Sequence, residues 1–133
     1  VVLVTHDISV VAYVCDHVVV MYAGKVVEAG PVAEVLASPS HPYTMGLYNA
    51  FPELSGEDRD LSPIEGSPPD LLNPPKGCRF RVRCPFAQPI CAEEPPEHIV
   101  GDGHRALCHR ATEAPNLRVA ARQTKTWIGV TAE

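Results

Sequence analysis

The stretch that decides the fold is DHVVVMYAGKVVEAG, residues 16–30. Its first half, Val18–Tyr22, is a continuous apolar run, which predicts a strand buried on both faces. Gly24 then permits a tight turn, because glycine adopts positive φ without a steric penalty. Val26–Ala29 is largely apolar and predicts the returning strand, which Pro31 ends. The stretch therefore predicts a β-hairpin within an α/β fold.

Before the hairpin, the apolar run VVLV at residues 1–4 predicts a strand of the kind found in parallel sheets, which are covered on both faces. Thr5-His6-Asp7 follow at the C-terminal end of this strand. Asp7 is a good N-cap for a following helix. The apolar stripe of that helix is formed by Ile8, Val11, Ala12 and Cys15. After the hairpin, Pro31 favours the first turn of a short helix over residues 32–37. The N-terminal third therefore predicts an α/β unit.

Proline changes the character of the chain after this unit. Fourteen of the 133 residues are proline, and thirteen of them lie between Pro31 and Pro96. Proline removes a backbone donor and breaks regular elements, so this region predicts a small, irregular, cysteine-containing extension. Net charge is −5, and the absence of a basic patch argues against nucleic-acid binding.

Short elements are still expected within this extension. Pro42 predicts a docking helix that Pro52 closes, with His41 flanking its N-terminus. The apolar stripe of that helix is Tyr43, Leu47 and Phe51. Residues 56–75 predict an extended surface segment, and residues 117–122 predict a short helix in the tail.

Four of the five cysteines lie close together in the sequence: Cys78, Cys84, Cys91 and Cys108. The sequence has no export signal and no apolar run near the ~20 residues that span a bilayer, so we expect a soluble chain, truncated at its N-terminus, in a reducing compartment. Stable disulfides are rare there, and clustered thiols favour a metal. The gaps do not match the usual zinc knuckle. Longer, unequal gaps suit an iron–sulfur cluster, whose irons need thiolates from separate directions.

Several of these motifs resemble one protein family. Residues 2–7 resemble the switch-histidine strand of ABC ATPases, and residues 16–30 look like the hairpin that follows it. Residues 40–44, SHPYT, look like the signature extension of the peptide/nickel importer branch. The same extension continues through Gly77-Cys78, residues 83–87, Cys91 and residues 103–105. The chain thus resembles the C-terminal part of the ATP-binding subunit of a peptide/nickel (oligopeptide/dipeptide) ABC importer.

The resemblance implies a division of the chain and a set of functional residues. Residues 1–37 would end the nucleotide-binding domain, residues 38–110 would form the extension, and residues 111–133 would be a tail. His6 would be catalytic and contact the γ-phosphate of ATP, which binds with Mg²⁺. A histidine that merely caps a helix is the alternative for His6. No phosphate-binding loop is present, so the 133-residue chain alone is expected to be inactive.

For the cysteines, the resemblance implies a [4Fe–4S] cluster bound by Cys78, Cys84, Cys91 and Cys108, with zinc as the alternative. Zinc would allow His104 or His109 to replace one thiolate. The charge of a cluster could be offset by nearby arginines: Arg79, Arg81, Arg83 and Arg105. An ordinary solvated surface is the alternative for these four side chains.

The family also implies partners and a location. A second ATP-binding subunit and membrane-embedded permease subunits are expected, at the cytoplasmic face of the membrane. Without sheet neighbours, Val1–Val4 is expected to be an exposed apolar edge that promotes self-association. The rival hypothesis is a stand-alone metal-binding interaction module, which would explain the cysteines but not the Thr-His-Asp strand and its hairpin.

Overall fold

The structure, a computed structural model, describes residues 1–51 and 62–130. Its helices are α1 (Ile8–Val14), α2 (Val32–Ala37), α3 (Pro42–Asn49) and α4 (Ala114–Ala121). Its strands are β1 (His17–Tyr22), β2 (Lys25–Pro31), β3 (Glu97–Gly101) and β4 (His104–Leu107). Short 3₁₀ turns cover Arg81–Arg83, Pro89–Ala92, Ala111–Glu113 and Thr124–Trp127. No helix in these two ranges is long and apolar enough to cross a bilayer.

The hairpin predicted for residues 16–30 is confirmed. Strands β1 and β2 pair antiparallel, with a bulge between Val20 and Met21. At the turn, φ is +49° for Ala23 and +82° for Gly24. Positive φ at both central residues is the geometry of the turn that matches the twist of a two-residue hairpin.

The hairpin is half of a four-stranded antiparallel sheet with the strand order β1-β2-β4-β3. Strand β2 pairs with β4, with Ala29 opposite Arg105. Strands β3 and β4 form a second hairpin, which the sequence analysis missed. Its turn contains Asp102-Gly103, a residue pair common in tight hairpin turns, so the sequence did carry a signal for it.

The prediction that β1 is buried on both faces is wrong. Val20 and Tyr22 are buried, whereas Val19 and Met21 are each 57% exposed. Alternate side chains of a strand point to opposite faces, and one face of an antiparallel sheet can be solvated.

The strand predicted for residues 1–4 is also absent from the structure. The segment has no strand assignment, and Val1, Val2 and Val4 are almost completely exposed. A strand buried on both faces needs neighbouring strands and covering helices, and no described segment of this chain supplies them. The expected exposure of Val1–Val4 is therefore confirmed, although the segment is not a strand edge.

The helix predictions mostly hold. Asp7 caps α1, its Oδ1 accepting hydrogen bonds from the amides of Ser9 at 2.9 Å and Val10 at 3.4 Å. Helices α2 and α3 begin as predicted, and α3 ends at Asn49, before Phe51. The tail helix α4 begins three residues earlier than predicted. Pro52 and the first part of the segment 56–75 lie outside the described residues.

One core joins the hairpin to the helices and to the cysteine-containing region. Its buried members are Val20, Tyr22, Val27, Val35, Met45, Phe80, Ala114, Leu117, Ala121 and Trp127. The Tyr22 and Phe80 rings meet edge-on at 5.1 Å between centroids. Trp127, 2% exposed, donates from Nε1 to the carbonyl of Ala121 at 2.8 Å. Residues on both sides of position 37 thus share one hydrophobic interior.

Candidate functional site

The four clustered cysteines lie around one cavity. Its empty volume is about 350 Å³, counting the part open to solvent. The lining residues are Cys78, Cys84, Cys91, Cys108, His41, Pro42, Phe80, Arg81, Phe86, His109 and Arg110. Cys91 and Cys108 are buried, and Cys78 and Cys84 are partly buried. The fold therefore brings together thiols that are up to thirty residues apart in the chain.

Local backbone contacts set the positions of these cysteines. The amide of Cys78 donates to the carbonyl of Cys91 at 2.9 Å, so these two chain segments lie side by side. Gly77 makes this approach possible, because its φ is +76° and a Cβ there would lie 2.4 Å from the carbonyl of Ala92. Cys108 directly follows β4, which anchors it to the sheet.

Backbone amides also point at the sulfur atoms. The amide of Arg110 donates to Sγ of Cys108 at 3.3 Å, and the amide of Gln88 to Sγ of Cys91 at 3.5 Å. Backbone hydrogen bonds from Phe80 and Phe86 favour the thiolate forms of Cys78 and Cys84 respectively. Hydrogen bonds of this kind orient and support metal-bound ligands.

The backbone hydrogen bonds to Cys78, Cys84 and Cys108 lower the pKa of these thiols, whereas burial raises it by a larger amount. Burial raises the pKa of Cys108 to about 11 and the pKa of Cys84 above the ordinary range. The pKa of Cys78 is raised as well, again mainly by burial. The nearby cysteines add to the shift, since thiolates so close together repel one another. Metal binding must therefore displace protons from the thiols.

The site does not have the geometry of a single-ion centre. Across residues 1–51 and 62–130, no three histidine, cysteine or acidic side chains converge closely enough to hold one metal ion. The four cysteines thus line one cavity without forming such a group.

Three of the four arginines suggested to offset charge at the site have partners outside the cavity. Arg79 donates to the carbonyl of Ala23 at the hairpin turn, and Arg105 lies 3.7 Å from exposed Glu97. Arg83 donates to the carbonyls of Ile64, Glu65 and Gly66 and to the hydroxyl of Tyr22. Of the four, only Arg81 lines the cavity, so it is the one best placed for the suggested role.

Arg110 is the cavity-lining arginine that the sequence analysis missed. Its Nη1 donates to the carbonyl of Phe86 at 3.0 Å, and its other nitrogens form an ion pair with Glu113 at 2.9 to 3.0 Å. Its position immediately after Cys108 and His109 was the available signal.

The two histidines considered as zinc ligands differ in position. His109 lines the cavity, and its Nε2 lies 3.0 Å from the carbonyl of Glu93. His104 is not among the residues that line the cavity, and its Nε2 lies 2.6 Å from Oε1 of Glu28. The structure therefore does not group His104 with the four cysteines.

Glu28 is the centre of a buried polar network that the sequence analysis also missed. Its side chain, 1% exposed, accepts from the amides of Ser40 at 2.7 Å and His41 at 3.0 Å. With His104, these contacts join β2, β4 and the chain entering α3. A lone glutamate in an apolar strand was the only sequence signal.

His41, whose amide donates to Glu28, is the N-cap residue of α3. It is 1% exposed, and its Nδ1 accepts from the amide of Tyr43 at 3.0 Å, which caps α3. The predicted place of His41 at the N-terminus of a helix is confirmed. Burial lowers its pKa to about 3, so the imidazole is neutral.

His6, unlike His41, is not buried. It is exposed, and it stands next to Asp7, whose amide donates to Oγ1 of Thr5 at 3.0 Å. The structure thus fixes the residue after His6 as a helix cap and leaves the imidazole at the surface.

Comparisons with known proteins place the chain in context. Residues 27–91 match the family described as "Oligopeptide/dipeptide transporter, C-terminal region". The chain is 44% identical over 113 residues to the oligopeptide transport ATP-binding protein OppD of Salmonella typhimurium, covering 85% of this chain and 34% of that protein. It is 46% identical over 109 residues to the dipeptide transport ATP-binding protein DppD of Bacillus subtilis, covering 81% and 32%.

A further relative is the oligopeptide transport ATP-binding protein OppD of Bacillus subtilis, 50% identical over 107 residues, covering 78% of this chain and 30% of that protein. The chain thus spans about a third of the length of these relatives. The resemblance seen in the sequence is confirmed: the chain corresponds to the C-terminal part of the ATP-binding subunits of oligopeptide and dipeptide transporters, and residues 27–91 belong to their C-terminal region family.

Proposed function

We propose that this chain is part of an ATP-hydrolysing subunit that powers ABC-type import of peptides or nickel complexes. The observation that carries the proposal is its 44–50% identity, over most of its length, to ATP-binding proteins of peptide transport. The whole protein would use ATP and Mg²⁺, pair with a second ATP-binding subunit and dock onto permease subunits at the cytoplasmic face of the membrane.

The test is transport by the full-length subunit assembled with its permease partners in liposomes. ATP hydrolysis coupled to uptake of a labelled oligopeptide is the expected result, and a nickel complex serves as the competing substrate. The isolated 133-residue chain, which is expected to be inactive, is the matched control. An assembled complex that hydrolyses no ATP would contradict the proposal.

Within this function, we infer that His6 acts on the γ-phosphate of ATP. It directly precedes the cap of α1 and its side chain is exposed, so a nucleotide held by other parts of the subunit can reach it. An imidazole in that place can donate a hydrogen bond to a phosphate oxygen and orient the attacking water. Such positioning and charge stabilisation account for most of the catalysis in phosphoryl transfer.

We also infer that Cys78, Cys84, Cys91 and Cys108 hold a [4Fe–4S] cluster. The support is their common cavity, the amides directed at their sulfur atoms, and the nearby positive charge of Arg81 and Arg110. A cluster is preferred to a single zinc ion because the gaps between the cysteines are long and unequal, and the irons of a cluster each take one thiolate from a separate direction. When bound, a cluster supplies one-electron redox chemistry and a cross-link between four points of the extension.

Anaerobic purification followed by iron and sulfide assays tests the cluster, together with visible absorption. Iron and sulfide in equal amounts are expected, and a Cys84→Ser variant should lose most of both. A Cys15→Ser variant is the matched control, since Cys15 directly follows α1 and does not line the cavity. One zinc per chain with no iron would contradict the cluster and support the zinc alternative.

The rival hypothesis of a stand-alone metal-binding module is weaker after the comparisons. The identity to ATP-binding proteins covers 78–85% of the chain, which is more than the cysteine-containing region.

A further inference from the structure

His41 has a polar atom that its surroundings do not satisfy. The amide of Tyr43 donates to Nδ1, so Nδ1 carries no proton. The proton of the ring is therefore on Nε2, which makes Nε2 a hydrogen-bond donor. Within the described residues, this buried Nε2 has no hydrogen-bond partner. Buried donors without partners are rare, because each loses its bond to water without replacement.

The neighbouring polar side chain does not meet this need. Oγ1 of Thr44, one turn into α3, is also buried and without a partner in the described part of the chain. Because both atoms lack a partner, Nε2 of His41 and Oγ1 of Thr44 are not hydrogen-bonded to each other. The imidazole therefore presents an unused donor, while its ring packs near Phe80 at 5.9 Å between centroids.

The cavity that His41 lines is the one formed by the four cysteines. The cap fixes the ring through Nδ1, and the backbone of His41 is fixed by Glu28. The freedom of the ring to rotate is therefore small. A sulfur atom of a thiolate or sulfide is an acceptor that the cavity would provide once metal is bound.

We propose that Nε2 of His41 donates a hydrogen bond to a sulfur atom of the iron–sulfur cluster held by the four cysteines, and that His41 is a positioning residue that sets the reduction potential of the cluster. This rests on the proposed cluster. Reduction adds negative charge to a cluster, and a donor to sulfur stabilises that charge, so the bond raises the potential. The same residue caps α3, which connects the cluster to this helix and to Glu28.

Two substitutions distinguish the hydrogen bond made by Nδ1 from the one proposed for Nε2. His41→Asn retains an acceptor where Nδ1 lies and caps helices well, but it has no donor at the position of Nε2. His41→Gln reaches the position of Nε2 with an amide donor, but it loses the cap. Both are made in the full-length, anaerobically purified protein, with iron content and circular dichroism as checks on cluster and fold.

The expected result is a more negative potential for His41→Asn in a spectroelectrochemical titration. At fixed poise the ratio of reduced to oxidised cluster should fall about tenfold, which corresponds to about 59 mV for a one-electron couple. His41→Gln should stay near the wild-type potential while unfolding at lower denaturant concentration. In wild-type protein with ¹⁵N-labelled histidine, magnetic resonance of the reduced cluster should show a nitrogen coupling that His41→Asn lacks.

Two results would overturn the inference, and they differ from each other. An iron-containing His41→Asn protein with the wild-type potential and an unchanged nitrogen coupling would exclude the hydrogen bond and leave the cluster in place. A wild-type protein without iron and sulfide would remove the proposed cluster and the inference with it.

Discussion

Residues 1–7 and residues 77–110 each contain residues with a proposed function, and they are held in opposite ways. The first segment is almost entirely apolar at its start, yet Val1, Val2 and Val4 are exposed. The second has little regular structure, yet Phe80 within it is 1% exposed and Cys78 is bonded to Cys91 through the backbone. Apolar composition therefore stabilises a segment only where the chain supplies a surface to bury it against.

The comparison also separates two kinds of functional residue. His6 is at the surface and is suited to a ligand that arrives with other parts of a larger protein. The four cysteines are positioned by this chain itself, through contacts with β4, α3 and the core. Substitutions in the two segments should accordingly change different properties.

The largest expected effect is on stability, from Phe80→Ala. This ring contacts Tyr22, Tyr43 and His41, so its removal should lower the free energy of unfolding by about 3–5 kcal/mol. The matched control is Leu3→Ala in the exposed segment, for which a change within about 0.5 kcal/mol is expected. Urea unfolding followed by circular dichroism measures both. Equal decreases in the free energy of unfolding for the two variants would contradict the difference between the two segments.

The next effect is on catalysis, from His6→Ala in the full-length subunit. An interaction made mainly in the transition state lowers kcat, whereas a uniform binding contact raises KM. We expect kcat to fall about 10²-fold or more, with little change in ATP affinity. Steady-state ATPase kinetics separates the two, and His17→Ala in β1 is the control. An unchanged kcat with a higher KM would contradict the role.

A smaller effect is expected on the free energy of unfolding at low pH, because His41 is protonated when the chain unfolds. Its pKa is about 3 in the folded chain and about 6.5 when unfolded, so folding keeps it neutral. Its contribution to stability is complete above pH ~6.5 and is lost as pH falls towards 3. Between pH 7 and pH 5 this amounts to about 2 kcal/mol.

Urea unfolding of the metal-free protein at the two pH values measures this loss. The His41→Asn variant has no imidazole at this position, so its stability should fall by about 2 kcal/mol less over the same range. Parallel losses in both proteins would show that His41 is not the group responsible.

The smallest effect is on self-association of the 133-residue chain. Exposed apolar residues at 1–4 can pair with other copies, so Val4→Asp should weaken association by about 1 kcal/mol, a factor of roughly five. Val119→Asp, at an exposed position on α4, is the control and should leave association unchanged. Light scattering over a dilution series distinguishes them. A wild-type chain that stays monomeric at high concentration would refute the prediction.

Local features of the fold were predictable from the sequence. The hairpin at 16–30, the Asp7 cap and the starts of α2 and α3 depend on neighbouring residues in the chain, and all were found. The second hairpin was missed because the prolines up to Pro96 set the expectation for the whole region, although residues 97–107 contain none and Asp102-Gly103 is a turn pair. The strand predicted for residues 1–4 did not form, since a strand buried on both faces needs neighbouring strands, and the described residues supply none beside this segment.

The candidate site divides in the same way. The four cysteines could be selected from their clustering, and their common cavity agrees with that choice. The network of Glu28 could not be assigned, because it depends on pairing with His104, which is distant in sequence. The same holds for the bond from Arg110 to the carbonyl of Phe86, although the place of Arg110 beside Cys108 was a usable signal. The placement of Arg79 and Arg83 at other carbonyls follows from the same non-local packing.

The pairing of β2 with β4 has a consequence for synthesis on the ribosome. Ala29 and Arg105 face each other across the sheet but are 76 residues apart. At a translation rate of roughly 5–20 residues per second, β2 waits about 4–15 s for its partner strand. During this interval the first hairpin exposes an unpaired edge, and the loop that must then close is long. Nascent chains are therefore most vulnerable to aggregation in the seconds before His104 reaches Glu28, which makes the rate of elongation between the two hairpins a determinant of yield.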